Sequence, residues 1–131
     1  MSEVKKKLLV VDDEKELVDL LRIRLEMNGY EVVTAYDGQE GLEKAKAEKP
    51  DLIILDLMLP KMDGYKVCAL LKKDNRFNHI PIILFTAKAQ EADIKLGQEV
   101  GAEGYLTKPY IPETLLAEIR RLLETVRPLP A

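Results

Sequence analysis

Five polar residues close or follow apolar runs in this sequence. Asp12 and Asp13 come after Leu8-Leu9-Val10-Val11, Asp56 after Leu52-Ile53-Ile54-Leu55, and Thr86 after Ile82-Ile83-Leu84-Phe85. Lys108 lies just past a short segment around Tyr105 and Leu106. Carboxylates, a hydroxyl and an ammonium are the groups needed to hold a divalent cation through oxygen and to handle a phosphoryl group. A carboxylate can attack phosphorus and form an aspartyl phosphate. Catalysis of such a transfer is mostly positioning and electrostatic stabilisation. Whether these residues meet depends on the elements that carry them.

The apolar residues alternate between two periods. Leu8 to Val11 is a continuous run, too short for a helix and suited to a strand buried on both faces. From Glu14 to Met27, Leu17, Leu21 and Leu25 recur at four-residue steps, which is one face of a helix. Asn28-Gly29 ends it. Glu31 to Ala35 predicts a second strand, and a helix with Leu42 and Ala45 follows until Lys49-Pro50 breaks it. Leu52 to Leu55 is a third strand. Pro60 and Asp63-Gly64 make a loop, and Val67, Leu70 and Leu71 mark a third helix. Pro81 opens a fourth strand, Ile82 to Phe85, and a fourth helix runs roughly from Gln90 to Val100. Gly101 and Gly104 frame a fifth strand at Tyr105-Leu106. Pro112 suits the first turn of a last helix, whose face carries Leu115, Leu116, Ile119, Leu122 and Leu123.

Strands alternating with helices in this way predict an α/β domain: a doubly wound, five-stranded parallel sheet with helices on both faces. The first, third and fourth strands are the most apolar and should be central. The second and fifth carry more polar residues and glycine and should lie at the edges. The order 2-1-3-4-5 satisfies this and the right-handed crossover rule.

In such a sheet, ligands bind outside the carboxyl ends of the strands where the strand order reverses, here between the first and third. Neighbouring strands lie about 4.8 Å apart, so Asp12, Asp13 and Asp56 should converge, with Thr86 and Lys108 along the same edge. Each residue also has a plainer reading. Asp13 could cap the first helix, with Glu16 completing a capping-box-like pair. Asp56 could be an Asx-turn residue, Thr86 could cap the fourth helix, and Lys108 could be a solvated surface lysine. These readings weaken together, because three carboxylates crowded at one edge repel each other unless cations are gathered with them. Lys108 supplies one positive charge and a divalent ion two. All-oxygen ligation suits Mg²⁺ or Mn²⁺. Asp56, ending a central strand, is the best-placed nucleophile.

Composition narrows the class. The 131 residues fit one domain. A net charge of −3 and a pI of about 5.3 give no reason to expect direct nucleic-acid binding. Cys68 is alone, which excludes an intramolecular disulfide or a cysteine metal cluster. It reads as a small core residue. No apolar run approaches membrane-spanning length and no signal peptide opens the chain. A cytoplasmic location with no membrane partner is therefore expected.

With elements and residues placed, the chain resembles a response-regulator receiver domain of two-component signalling, with a flavodoxin-like fold akin to the chemotaxis regulators, from Lys6 to Leu123. The matching pieces are Leu9-Val10-Val11-Asp12-Asp13-Glu14, Asp56-Leu57-Met58-Leu59-Pro60-Lys61-Met62-Asp63-Gly64, Thr86-Ala87, Gly101-Ala102 and Tyr105-Leu106-Thr107-Lys108-Pro109. The resemblance implies that Asp56 takes a phosphoryl group from a phosphohistidine of a sensor kinase or phosphotransfer protein, or from acetyl phosphate. It implies that Asp13, Asp56 and the backbone carbonyl of Met58 bind Mg²⁺ directly, with Asp12 acting through water. It further implies that Thr86 and Lys108 grip the phosphoryl group, that the Lys108-Pro109 bond is cis, and that Met58 and Lys88 flank the site at positions tuning lifetime. Thr86 and Tyr105 would form a switch that alters the face of the fourth helix, fifth strand and fifth helix. That face would serve a downstream effector protein, an output domain on a longer chain, or a phosphorylation-dependent homodimer. The chain would be a phosphoacceptor whose only catalysis is of its own phosphorylation and dephosphorylation. Residues 1–127 are expected to form the receiver domain and 128–131 a tail or the start of a linker.

Rival chemistries fit less well. A phosphatase of the haloacid-dehalogenase type needs a second acid two residues after its nucleophile, where this chain has Met58. A flavin-binding module needs a hydroxyl- and glycine-rich phosphate loop after the first strand, where Asp12-Asp13-Glu14 would repel phosphate. A phosphate-independent docking module would have no use for the intact set of site residues.

Overall fold

A computed structural model describes residues 4–87 and 91–124. Lys88, Gln90 and the expected tail at 128–131 lie outside the described residues. The elements run β1 (Lys7–Val11), α1 (Lys15–Met27), β2 (Glu31–Ala35), α2 (Gly38–Glu48), β3 (Leu52–Asp56), α3 (Gly64–Lys73), β4 (Ile82–Thr86), α4 (Glu91–Glu99), β5 (Gly104–Thr107) and α5 (Pro112–Glu124). The strands form one parallel sheet ordered β2-β1-β3-β4-β5, a flavodoxin-like topology.

The side-chain period of two along each strand sorts residues between two cores. Leu9, Val11, Ile53, Leu55, Ile82 and Leu84 meet Leu42 and Ala45 of α2 and Val67, Cys68 and Leu71 of α3. Leu8, Val10, Ile54, Ile83 and Phe85 meet Val18, Leu21 and Leu25 of α1 and Leu115, Ile119 and Leu122 of α5. Every residue of β3 and β4 is buried, which is why those strands read as unbroken apolar runs.

Local chemistry sets the helix ends. Gly29, at φ 90°, follows α1, a conformation that glycine adopts without steric cost. Asp37 caps α2 by accepting from the Glu40 amide at 2.7 Å. Asp63 does the same for α3, accepting from the Lys66 amide at 2.9 Å. Some boundaries shift from the sequence reading. Asp56 and Thr86 are the last residues of β3 and β4 rather than the first beyond them, and Gly64 opens α3 rather than closing the loop. In α4, Gly97 is the buried residue among those described.

Away from the carboxyl edge of the sheet, Lys72 of α3 is largely buried and triply held. Its Nζ donates to the Asn78 and Ile80 carbonyls at 3.1 and 2.7 Å and to Glu103 Oε2 at 2.7 Å. Glu103 Oε1 in turn accepts from the Ile82 amide at 2.8 Å.

Candidate functional site

The carboxyl edge of the sheet gathers the acidic residues. Asp12 leaves β1 with its amide donating to the Ala35 carbonyl at 3.1 Å, so the ladder with β2 fixes its backbone. The residue is buried, at 2% exposure. Oδ1 accepts from the Glu14 amide at 2.9 Å and Oδ2 lies 3.1 Å from Lys108 Nζ. Asp56 is 5% exposed, with Oδ2 3.3 Å from the same Nζ. Asp13 is exposed. One carboxylate oxygen from each of Asp12, Asp13 and Asp56 lies within 4.8 Å of the others.

Lys108 reaches this cluster from past β5. Its amide donates to the Thr86 carbonyl at 2.8 Å, which extends the β4–β5 ladder one residue beyond the strand. The Lys108–Pro109 bond is cis. Besides Asp12 and Asp56, Nζ contacts Glu14 Oε1 at 3.0 Å. Glu14 was missed in the sequence as a partner for the lysine; the only signal was its place beside two other acids. Thr86, buried, ends β4 next to β3 and completes the row.

The residue at the N-cap of α1 is Glu14, with no side-chain cap bond, so the helix starts one residue later than an Asp13–Glu16 capping pair requires; Asp12 accepts from the Glu14 amide. Asp56 does make an Asx-type contact, accepting from the Met58 amide, but at 3.4 Å it is long. Thr86 lies within β4 and pairs with Thr107 of β5, which is a strand position and not a helix cap. The Lys108 side chain is 17% exposed and is not a solvated surface lysine.

Electrostatics leave the cluster short of positive charge. Burial pushes the Asp56 carboxyl above its usual range, the Asp12 charge adds to this, and Lys108 opposes it. Burial likewise raises Asp12, against the Glu14 amide and Lys108. For Lys108, burial pulls downward, but the Glu14, Asp12 and Asp56 carboxylates outweigh it and hold the ammonium above the ordinary lysine value. Among the described residues, one ammonium thus meets the buried Asp12 and Asp56 and the exposed Glu14, with the exposed Asp13 beside them. A hard divalent cation with oxygen ligands fits that donor set.

The β3–α3 loop forms the remaining wall. Asp13, Met58, Pro60, Asp63 and Tyr65 line one groove, and Met58 is 62% exposed. Gly64 anchors the loop: its amide donates to the Leu57 carbonyl at 2.8 Å. A Cβ there would sit 2.3 Å from the Asp56 carbonyl oxygen. Gly64→Ala should therefore destabilise the fold by about 2 kcal/mol through overpacking, despite alanine's better helix propensity. Thermal unfolding checks this; an unchanged midpoint would contradict it.

Tyr105 is half-buried on β5, packed so closely on α4 that a Cβ at Gly97 would lie 3.0 Å from its ring. Its hydroxyl pairs with that of Tyr65, which donates to the Asp93 carbonyl of α4 at 2.9 Å. Tyr65 was also missed in the sequence, where it is one aromatic at the start of a helix.

The family profile described as "Response regulator receiver domain" matches residues 8–120. The chain is 51% identical over 118 residues to the alkaline phosphatase synthesis transcriptional regulatory protein PhoP of Bacillus subtilis, across 90% of this chain and 48% of that protein. It is 45% identical to the DNA-binding dual master transcriptional regulator RpaA of Synechocystis, across 95% of this chain and 52% of the relative. The chain thus spans about half the length of the curated relatives it matches. Among solved structures, the chemotaxis protein CheY4 of Vibrio cholerae is similar at a TM-score of 0.86 and 35% identity, covering 91% of this chain and 99% of that one. The BeF3-activated DrrB receiver domain is similar at a TM-score of 0.83 and 33% identity, covering 92% and 99%.

Proposed function

The chain belongs to the response regulator receiver domain family of two-component signalling, and from that premise we propose that Asp56 is its phosphoacceptor. The supporting observation is the buried Asp56 carboxylate, 3.3 Å from Lys108 Nζ and within 4.8 Å of oxygens from Asp12 and Asp13. In the reaction, an Asp56 oxygen attacks the phosphorus of a phosphohistidine on a sensor kinase or phosphotransfer protein. The P–N bond breaks, its electron pair leaves with the imidazole, and the ring takes up a proton. The burial that raises the Asp56 carboxyl also raises its basicity as a nucleophile.

Asp13, Asp56 and the Met58 carbonyl would hold Mg²⁺ or Mn²⁺ directly, and Asp12 would hold it through water. When bound, the ion supplies charge neutralisation at the transferring oxygens. Lys108 pairs with one phosphoryl oxygen and leaves part of its contact with the carboxylates. Thr86 donates its hydroxyl to another. Thr86 and Tyr105 then bias the face of α4, β5 and α5 between two arrangements, which is all that a switch requires. The domain catalyses its own modification and hydrolysis and turns over no separate substrate.

The proposed receiver unit is residues 1–127, with 128–131 as a tail or linker start. Its outputs are an effector protein, an output domain on a longer chain, or a phosphorylation-dependent homodimer. No described helix is long and apolar enough to cross a membrane; a cytoplasmic location is part of the proposal.

The test is incubation with acetyl phosphate, with Mg²⁺ or with excess EDTA, followed by a phosphate-affinity gel. A retarded band that needs Mg²⁺ and disappears with hydroxylamine is expected of an acyl phosphate. A hydroxylamine-resistant band, or one indifferent to EDTA, would refute the proposal.

A further inference from the structure

We infer that Gly38, at the start of α2, is a positioning residue for the loop that carries Met58, and through that loop for the divalent-cation site. The inference rests on the reading of Asp13, Asp56 and the Met58 carbonyl as the ion's ligands. A Cβ at Gly38 would lie 1.8 Å from the Met62 carbonyl oxygen, 2.7 Å from its carbonyl carbon and 2.9 Å from its Cβ. The two nearest atoms are backbone, so the loop itself would have to move.

The loop tip is seated on the first turn of α2 in other ways too. The Gly38 amide donates to the Pro60 carbonyl at 3.2 Å, and the Met62 amide donates to the same oxygen at 2.7 Å. Between them Lys61 is held at φ 69°, with its Nζ 3.6 Å from Asp37 Oδ2. The other end of the loop is fixed at Gly64, where the amide bond to Leu57 and the close approach to Asp56 leave no slack. Met58 and Leu59 bridge these two seats. Met58 and Pro60 also share a groove with Asp13, so a shift of the tip alters the wall of the site. Mg²⁺ demands near-ideal octahedral ligands at about 2.0–2.1 Å, and a ligand about 1 Å out of place defeats such a site. Helix α2 therefore shapes a site to which it lends no side chain.

Gly41→Ala provides the control. A Cβ at Gly41 would meet Val11 Cγ1 at 2.8 Å, a clash with a core side chain of β1 and not with the loop. Both variants should melt below the parent. Each is titrated with MgCl₂ by isothermal calorimetry at a temperature where circular dichroism shows all three proteins folded. The expected result is a Kd for Gly41→Ala within about twofold of the parent, and one for Gly38→Ala at least tenfold weaker. An unchanged Kd in Gly38→Ala, or an equal loss in Gly41→Ala, overturns the inference while leaving the cation site intact. Failure of the parent to bind Mg²⁺ overturns the site reading and the inference with it. If Gly38→Ala does not fold, Pro60→Gly takes its place: it adds no atoms and frees the loop between its seats. Weaker Mg²⁺ binding supports the inference, and unchanged binding overturns it.

Discussion

Asp56→Asn should reduce labelling by acetyl phosphate to the assay background and, in metal-free protein near neutral pH, raise the melting temperature. The first effect follows from the loss of the anionic nucleophile. The second follows from the sign of the carboxyl shift. Burial, then Asp12, raise the Asp56 carboxyl above its ordinary range despite Lys108. A carboxyl raised on folding favours the fold while protonated. That contribution is complete below the unfolded value, about 3.9, and fades as pH rises through the raised folded value. At neutral pH the ionised group opposes folding, and a neutral amide relieves this. Melts of parent and variant should therefore diverge near pH 7 and converge near the acid end. Adding Mg²⁺ should raise the parent's midpoint by mass action and move the variant's much less. Retained label on the variant would remove Asp56 from its role. A lower midpoint at neutral pH would contradict the electrostatic account.

Lys72→Met should cost about 3 kcal/mol, since breaking a largely buried ion pair from one side leaves its carboxylate with less compensation than before. Glu103 would keep the Ile82 amide but lose its cation, and the Asn78 and Ile80 carbonyls would lose a donor. The side chains of Lys72 and Glu103 are 12% and 16% exposed, so solvent screens little, and the lower end of the range for buried pairs applies. For a domain of this size the midpoint should drop by roughly 10 °C. Pairing Lys72→Met with Glu103→Gln should recover part of the loss, because the buried negative charge that faced Lys72 goes too. A double-mutant cycle by thermal unfolding measures this; additive losses would show that the two residues do not act as a pair.

How much of the molecule could be read from the sequence depends on the range of the interaction. β1, β3 and β4 were legible because both their faces are buried, leaving continuous apolar runs that end in polar residues. That pattern also placed Asp12, Asp56 and Thr86, since a residue that ends or directly follows a strand lies at the sheet edge whatever the rest of the chain does; Lys108 was placed only by its position just past the shorter, less apolar β5. Strand ends were off by a residue at Asp56 and Thr86, because the ladder continues through the polar residue and pairs Asp56 with Phe85 and Thr86 with Thr107. Whether Asp13 capped α1 was open in sequence, because an acid before a helix has the same signature in either role. The Glu14–Lys108 pair, the Tyr65 bond to Asp93 and the approach of Gly38 to Met62 were invisible. Each joins distant residues through a particular side-chain or backbone placement that no local pattern encodes.

The meagre anchoring of α4 has a consequence for how the domain can respond. α5 fastens itself with Leu115, Ile119 and Leu122, at about 1.5–3 kcal/mol per fully buried side chain. Among the described residues, α4 buries only Gly97 fully and is otherwise held by the carbonyl that Tyr65 grasps and by half-buried side chains such as Ile94. Lifting it would strip few apolar atoms of cover, so transient opening there should be far more frequent than at its neighbour. In heavy water, amides of residues 95–99 should take up deuterium well before those of 116–122. Under the proposed switch, a phosphoryl contact at Thr86 would act on the helix that costs least to displace.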